Sequence, residues 1–130
     1  MNETRSALVV DDERDIRELL VLTLGRMGLR ISTAANLAEA RELLASNPYD
    51  LCITDMRLPD GNGIELVSEI AQHYPRTPVA MITAFGSMDL AVEALKAGAF
   101  DFVSKPVDIA VLRGLVKHCL LYTSPSPRDS

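Results

Sequence analysis

An α/β fold, with a five-stranded parallel sheet covered on both faces by five helices, is what this sequence predicts. Three observations predict it. Five short apolar runs alternate with stretches of helical periodicity along the chain. Strands joined through helices run parallel, and each crossover lays its helix on a face of the sheet. Polar and charged groups gather where the apolar runs end, the rim on which open α/β sheets place their functional groups. The 130 residues suit one domain with a core of its own.

The first apolar run, Ser6–Val10, ends on the acidic turn Asp11-Asp12-Glu13. Ile16, Leu19, Leu20, Thr23, Leu24 and Met27 recur at helical spacing until Gly28 stops them. Residues 29–34 alternate weakly and read as a second strand, at an edge. Asn36 with Glu39 resembles a capping box, opening a helix with Leu37, Ala40, Leu43 and Leu44 inward. Asn47-Pro48 ends it. The third run, Leu51 to Thr54, delivers Asp55 into a Pro/Gly/Asn-rich loop that reaches Gly63. Ile64, Val67, Ile70, Ala71 and Tyr74 form a third amphipathic helix, stopped by Pro75. Residues 78–83 form the fourth strand. Ser87 caps a helix carrying Met88, Ala91, Val92 and Leu95, and Gly98 terminates it. Residues 100–104 are the fifth strand. Asp108 caps a last helix with Ile109, Leu112, Leu115, Val116, Cys119 and Leu120 on one face. The folded domain is expected over residues 6–121. Residues 122–130 are Ser/Pro-rich and aperiodic, a disordered tail that reads as the start of a linker or as translated sequencing-adapter.

Composition excludes several function classes. Net charge is −5 and the isoelectric point about 4.9, with Lys and Arg scattered, so this chain does not grip a nucleic-acid backbone by itself. No apolar run approaches a membrane span and the N-terminus lacks a signal-peptide core, which makes the cytoplasm the expected location. Cys52 and Cys119 are isolated and read as small core hydrophobes rather than a redox pair.

The chemistry lies at four strand ends, where Asp11 and Asp12, Asp55, Thr83 and Lys105 converge on one acidic pocket. Three carboxylates make an oxygen-rich site suited to Mg²⁺, which favours a few carboxylates plus waters and phosphate oxygens. Such an ion screens the carboxylates from one another and offsets charge on a transferring phosphoryl group. A bare carboxylate is a workable nucleophile for aspartyl-phosphate chemistry, so Asp55 is the candidate acceptor. Lys105 adds a second positive charge, and the Thr83 hydroxyl can donate to a phosphate oxygen. Taken alone, Asp11-Asp12 is equally well explained as charge complementing a helix N-terminus; matching groups at three other strand ends weigh against that. Lys105 precedes Pro106. Such bonds are ordinarily trans, while a cis bond would aim the lysine inward. Phe102 and Lys105 point to opposite faces of their strand, and ordinary core packing accounts for Phe102.

These motifs resemble the receiver domain of two-component response regulators: Val9-Val10-Asp11-Asp12, Thr54-Asp55-Met56-Arg57-Leu58-Pro59 through Gly63, Ile82-Thr83-Ala84, and Gly98-Ala99-Phe100-Asp101-Phe102 with Lys105-Pro106. The resemblance implies a flavodoxin-like (CheY-like), doubly wound sheet in strand order 2-1-3-4-5. It implies that Asp55 is the phosphoacceptor, that Asp12 binds Mg²⁺ directly and Asp11 through water, and that the Arg57 carbonyl completes the protein ligands. Thr83 and Lys105 would bind the phosphoryl group, the Lys105–Pro106 bond would be cis, and Phe102 would be the switch aromatic, often a Tyr in the family. A sensor histidine kinase is the implied phosphoryl donor, and a homodimer through the fourth helix, fifth strand and fifth helix a possible output. The stretches 55–61 and 84–87 are most similar to receivers of nitrogen-regulatory and pilus-regulating type, in which a sigma-54-activating ATPase and a helix-turn-helix follow. A fragment of such a regulator is therefore expected, with a single-domain regulator as the alternative.

Rival readings fare worse on single residues. A haloacid-dehalogenase-type phosphatase needs an Asp two positions after its nucleophile, where Arg57 stands and cannot act as an acid near neutral pH. An FMN-binding flavodoxin needs a first loop that cradles phosphate, and Asp11-Asp12-Glu13 would repel it. Gly61-Asn62-Gly63 lacks the third glycine of a dinucleotide fingerprint, since position 66 is Leu. A module that signals by docking alone, without phosphorylation, is the remaining alternative.

Overall fold

The computed structural model describes residues 4–84 and 87–122. The tail is expected to begin at Tyr122, whose backbone instead closes the last helix; residues 123–130 and the Phe85-Gly86 part of the 84–87 stretch lie outside the described residues. In chain order the elements are β1 (Ser6–Val10), α1 (Arg14–Arg26), β2 (Arg30–Ala34), α2 (Leu37–Ser46), β3 (Leu51–Asp55), β4 (Arg57–Leu58), β5 (Gly61–Asn62), α3 (Gly63–His73), β6 (Val79–Thr83), α4 (Met88–Ala97), β7 (Asp101–Ser104) and α5 (Ile109–Tyr122). The main sheet is parallel, in the order β2-β1-β3-β6-β7. That is the doubly wound order expected from the sequence. β4 and β5 form a two-stranded antiparallel hairpin where the sequence shows only a loop.

Alternation along the central strands builds two cores. Leu8, Val10, Cys52, Val79 and Met81 face α2, α3 and α4, where they meet Leu37, Leu44, Leu66 and Ile70. Ala7, Val9, Ile53, Ala80, Ile82 and Val103 face α1 and α5, against Leu20, Leu24, Leu112 and Val116. β3 and β6 are buried at every position, which is why they read as unbroken apolar runs. Cys52 and Cys119 are buried, on opposite faces of the sheet.

The sheet ladder continues one residue past its strands. Asp11 N–H donates to Ala34 O at 3.0 Å, Met56 N–H to Ile82 O at 3.0 Å, and Lys105 N–H to Thr83 O at 2.8 Å. Backbone that would otherwise be free loop is therefore fixed at the rim. At the opposite end, the Arg5 guanidinium donates to Leu120 O in the last turns of α5 at 2.8 Å.

Local signals were mostly sound. Asn36 accepts from Glu39 N–H at 2.8 Å, although the returning arm of the box, Glu39 Oε1, takes the Ala35 N–H rather than that of Asn36. Asp108 accepts from Ala110 N–H at 2.8 Å. Gly98 has φ 126° and ends α4 as expected. Ser87 occupies the N-cap of α4 but its side chain makes no capping bond. The apolar spacing of α4 misleads further: Ala91 and Ala94 are its buried residues, while Met88, Val92 and Leu95 are exposed at 61%, 46% and 41%. On α3, Leu66 is buried and Ala71 exposed.

Gly63 opens α3 against the end of β3, donating its N–H to Met56 O at 2.7 Å. A Cβ there would overlap the Asp55 carbonyl and lie 3.1 Å from Met81 Sδ. Backbone cannot yield as a side chain can, so Gly63→Ala is expected to cost about 1–3 kcal/mol, an overpacking penalty. Thermal unfolding followed by circular dichroism should show a midpoint several degrees lower; an unshifted midpoint would contradict the close approach.

Candidate functional site

The ends of β1, β3 and β7 bring Asp11, Asp12, Glu13, Asp55 and Lys105 together. One carboxylate oxygen from each of the four acids lies within 4.8 Å of the others. The Lys105 ammonium is 2.8 Å from Glu13 Oε2, 3.4 Å from Asp55 Oδ2 and 3.8 Å from Asp11 Oδ2. One ammonium against four carboxylates leaves the cluster strongly negative.

Asp55 is 5% exposed, and its Oδ1 accepts the Met56 N–H at 2.8 Å. Its other oxygen takes the Lys105 hydrogen bond and faces a cleft of about 350 Å³. Burial raises its pKa above the ordinary carboxylate value, opposed by Lys105 and the Met56 N–H. Asp11 is fully buried. Its Oδ1 accepts the Glu13 N–H at 2.8 Å, while Oδ2 has no hydrogen-bond partner. Burial pushes its pKa up to about 6, with Asp55 adding to the effect; the Glu13 N–H and Lys105 pull the other way. Burial works against the charge on Lys105 too. The Glu13 hydrogen bond and the charges of Asp11 and Asp55 outweigh it and hold the ammonium above its usual pKa.

A buried carboxylate oxygen without a donor is costly. Here it lies among other oxygens, a donor set that fits a hard divalent cation and not a soft one. Asp11, Asp12, Glu13 and Asp55 could hold such an ion. An acceptor carboxylate beside an ammonium, at the floor of an open cleft, is in turn suited to attack an electrophilic phosphorus.

The other sequence candidates fall into place around this cluster. Exposed Arg57 stands on β4, in register with Asn62, and lines the cleft with Ala84 and Ser87. The Lys105–Pro106 bond is cis. Thr83, 1% exposed, closes β6 beside Ser104 but does not line the cleft. Half-buried Phe102 packs against the core under α2–α4, whereas its neighbour Val103 packs under α1 and α5. Glu13 was not singled out by sequence reasoning, although it is the third acid of the run after β1 and bonds the lysine more closely than Asp55 does.

Residues 7–117 match the family model described as "Response regulator receiver domain". The chain is 60% identical over 126 residues to response regulator protein PilR of Pseudomonas aeruginosa, covering 97% of this chain and 28% of that protein. It is 40% identical over 112 residues to the DNA-binding transcriptional regulator NtrC of Escherichia coli K12, covering 86% and 24%. The solution structure of the beryllofluoride-activated NtrC4 receiver domain dimer matches with a TM-score of 0.86 at 34% identity, over 92% of this chain and 98% of that one. The chain thus spans about a quarter of the length of these curated relatives. The likeness to nitrogen-regulatory and pilus-regulating receivers, read from the loop after Asp55, is borne out. With sheet order, acidic rim and a match running almost from end to end in agreement, the chain belongs to the response regulator receiver domain family.

Proposed function

We propose that residues 6–121 form a phosphoacceptor switch in which Asp55 takes a phosphoryl group from a phosphohistidine on a sensor kinase. The observation that carries this is the pairing of a cleft-facing Asp55 with Lys105, beside the Asp11 oxygen that accepts no hydrogen bond. Asp11, Asp12, Asp55 and the main-chain carbonyl of Arg57 would hold Mg²⁺. When bound, the ion supplies positive charge that offsets the charge of the transferring group. An Asp55 carboxylate oxygen attacks phosphorus, the phosphorus–nitrogen bond of the donor breaks, and the imidazole nitrogen leaves with the electron pair. Hydrolysis of the acyl phosphate resets the domain.

The remaining residues propagate the new charge. Lys105 exchanges its Glu13 contact for the phosphoryl oxygens. Thr83, on the same face of the sheet as Met81 and Phe102, moves toward the phosphate and donates its hydroxyl. The space it leaves admits the Phe102 ring, and the surface of α4, β7 and α5 is remodelled. This is a two-state equilibrium biased by local electrostatics. Exposed Met88, Val92 and Leu95 on α4 and Val111 on α5 supply apolar area for a partner there. The activated NtrC4 receiver is a dimer, so a second copy of this chain is the partner to examine first. The output would be control of a sigma-54-type transcription activator in the cytoplasm. Among the described residues no helix is long and apolar enough to cross a membrane.

Asp55→Asn should abolish phosphorylation by acetyl phosphate with Mg²⁺. Intact-mass measurement showing one phosphate on the variant would reject the acceptor assignment. Lys105→Ala should still be phosphorylated while the shifts of α4, β7 and α5 in NMR spectra, and any dimer formed, disappear; unchanged switching would count against the lysine's role.

A third expectation concerns pH. The folded pKa of Asp11 is raised from 3.8 to about 6, so without a cation this group's contribution to stability declines as pH climbs between those values. Mg²⁺ binds the ionised form. At about 100 times its dissociation constant it should stabilise the fold by about 2.7 kcal/mol near pH 7.5, and the gain should shrink below pH 6. A Mg²⁺ increment in the melting midpoint that is constant from pH 7.5 to pH 5 would refute this linkage.

A further inference from the structure

We infer that Asp60 is a positioning residue for phosphoryl transfer: from outside the cleft it ties the loop after Asp55 to the first turn of α2 and so holds Arg57 in place. The inference rests on the phosphoacceptor reading of Asp55. Asp60 Oδ1 accepts the Leu37 N–H at 2.8 Å and Oδ2 the Ala38 N–H at 3.1 Å. These are the first two N–H groups of α2, and the third, from Glu39, goes to the helix's own cap Asn36. The opening turn is thus fully paired, but two of its donors are satisfied by a residue more than twenty positions away. Such bonds are not a general habit of this chain. The N-caps of α1 and α4 make no side-chain capping bond at all. The bonds are charge-assisted, and they hold the exposed Asp60 carboxyl below its ordinary pKa, the Leu37 N–H foremost.

The following residues extend the same attachment. Gly61 lies so close to α2 that a Cβ would come within 2.5 Å of Leu37 Cδ1. Asn62 pairs with Arg57 across the hairpin and caps α3 by accepting the Glu65 N–H at 3.0 Å. The hairpin is therefore pinned at its base by Met56 N–H on Ile82 O, on one side to α3 by Asn62, and on the other to α2 by Asp60. The last of these can be cut without touching the cleft, since Asp60, unlike Met56, does not line it. Cutting it frees the turn at Pro59-Asp60, and with it the main chain of Arg57, whose carbonyl is the proposed backbone ligand for Mg²⁺. Outer partners that orient metal ligands typically matter by about tenfold or more in affinity.

The experiment compares Asp60→Ala with Asn36→Ala in the 130-residue chain. Both remove capping bonds from the N-terminus of α2; only the first detaches the active-site loop. Mg²⁺ affinity is measured by calorimetric titration, phosphorylation by intact mass with acetyl phosphate at limiting and saturating Mg²⁺, and folding by thermal melting. Asp60→Ala should weaken Mg²⁺ binding by about tenfold and slow phosphorylation at limiting Mg²⁺, with most of the rate recovered at saturation. Asn36→Ala should lower the melting midpoint comparably and leave Mg²⁺ affinity within about twofold, as expected for a lost cap alone. Asp60→Asn, which keeps one oxygen for the helix, should fall between parent and Asp60→Ala, and it decides the matter if the alanine variant does not fold. Unaltered Mg²⁺ affinity in the Asp60 variants, or an equal loss in Asn36→Ala, would overturn the inference. If the parent chain takes up no phosphate, the phosphoacceptor reading fails by itself, while the Mg²⁺ affinities still decide what Asp60 does.

Discussion

Mutual repulsion among carboxylates is the constraint around which this molecule is built. Asp11, Asp12, Glu13 and Asp55 are held with oxygens within 4.8 Å, two of the residues almost wholly buried, and a single ammonium stands among them. Left to themselves such charges would separate into solvent. They stay because the backbone beneath them is held: the ladder of a sheet whose central strands are buried runs one residue past β1, β3 and β7, pairing Asp11, Met56 and Lys105 at the rim. Apolar packing on both faces of the sheet thus sustains an unfavourable electrostatic arrangement at its edge. That stored repulsion is what a cation or a phosphoryl group can relieve, and relief is what biases a switch.

Lys105 shows how evenly the forces are matched. Its nearest carboxylate is the half-exposed Glu13 and not the acceptor, so the lysine is shared among three acids and committed to none. Exposed pairs of this kind contribute little to stability because water screens them. A weakly held ammonium beside a buried nucleophile can be redirected at small cost when a more negative group arrives.

Much of this was legible in the chain. Each strand-end residue could be read because an apolar run stopped on it, and the strand order followed from the family pattern those residues compose. Spacing proved weaker where small residues do the packing. On α4 the buried residues are Ala91 and Ala94, so the larger Met88, Val92 and Leu95 dominate the pattern yet are exposed. Sequence periodicity reports that a helix has an apolar stripe; it does not say whether a core or a partner covers it. The β4–β5 hairpin and the Asp60 attachment escaped notice for another reason. Two-residue strands carry no periodicity, and a bond spanning more than twenty residues leaves no local mark.

The bond from Arg5 to Leu120 joins the segment before β1 to the last turns of α5. Both extremities of the domain therefore lie side by side, at the end of the sheet away from the acidic rim. A short covalent splice between them would leave every strand neighbour unchanged, so a circularly permuted version cut in an exposed connection should retain the same architecture. Where the chain begins, in other words, is incidental to how this fold holds its charges together.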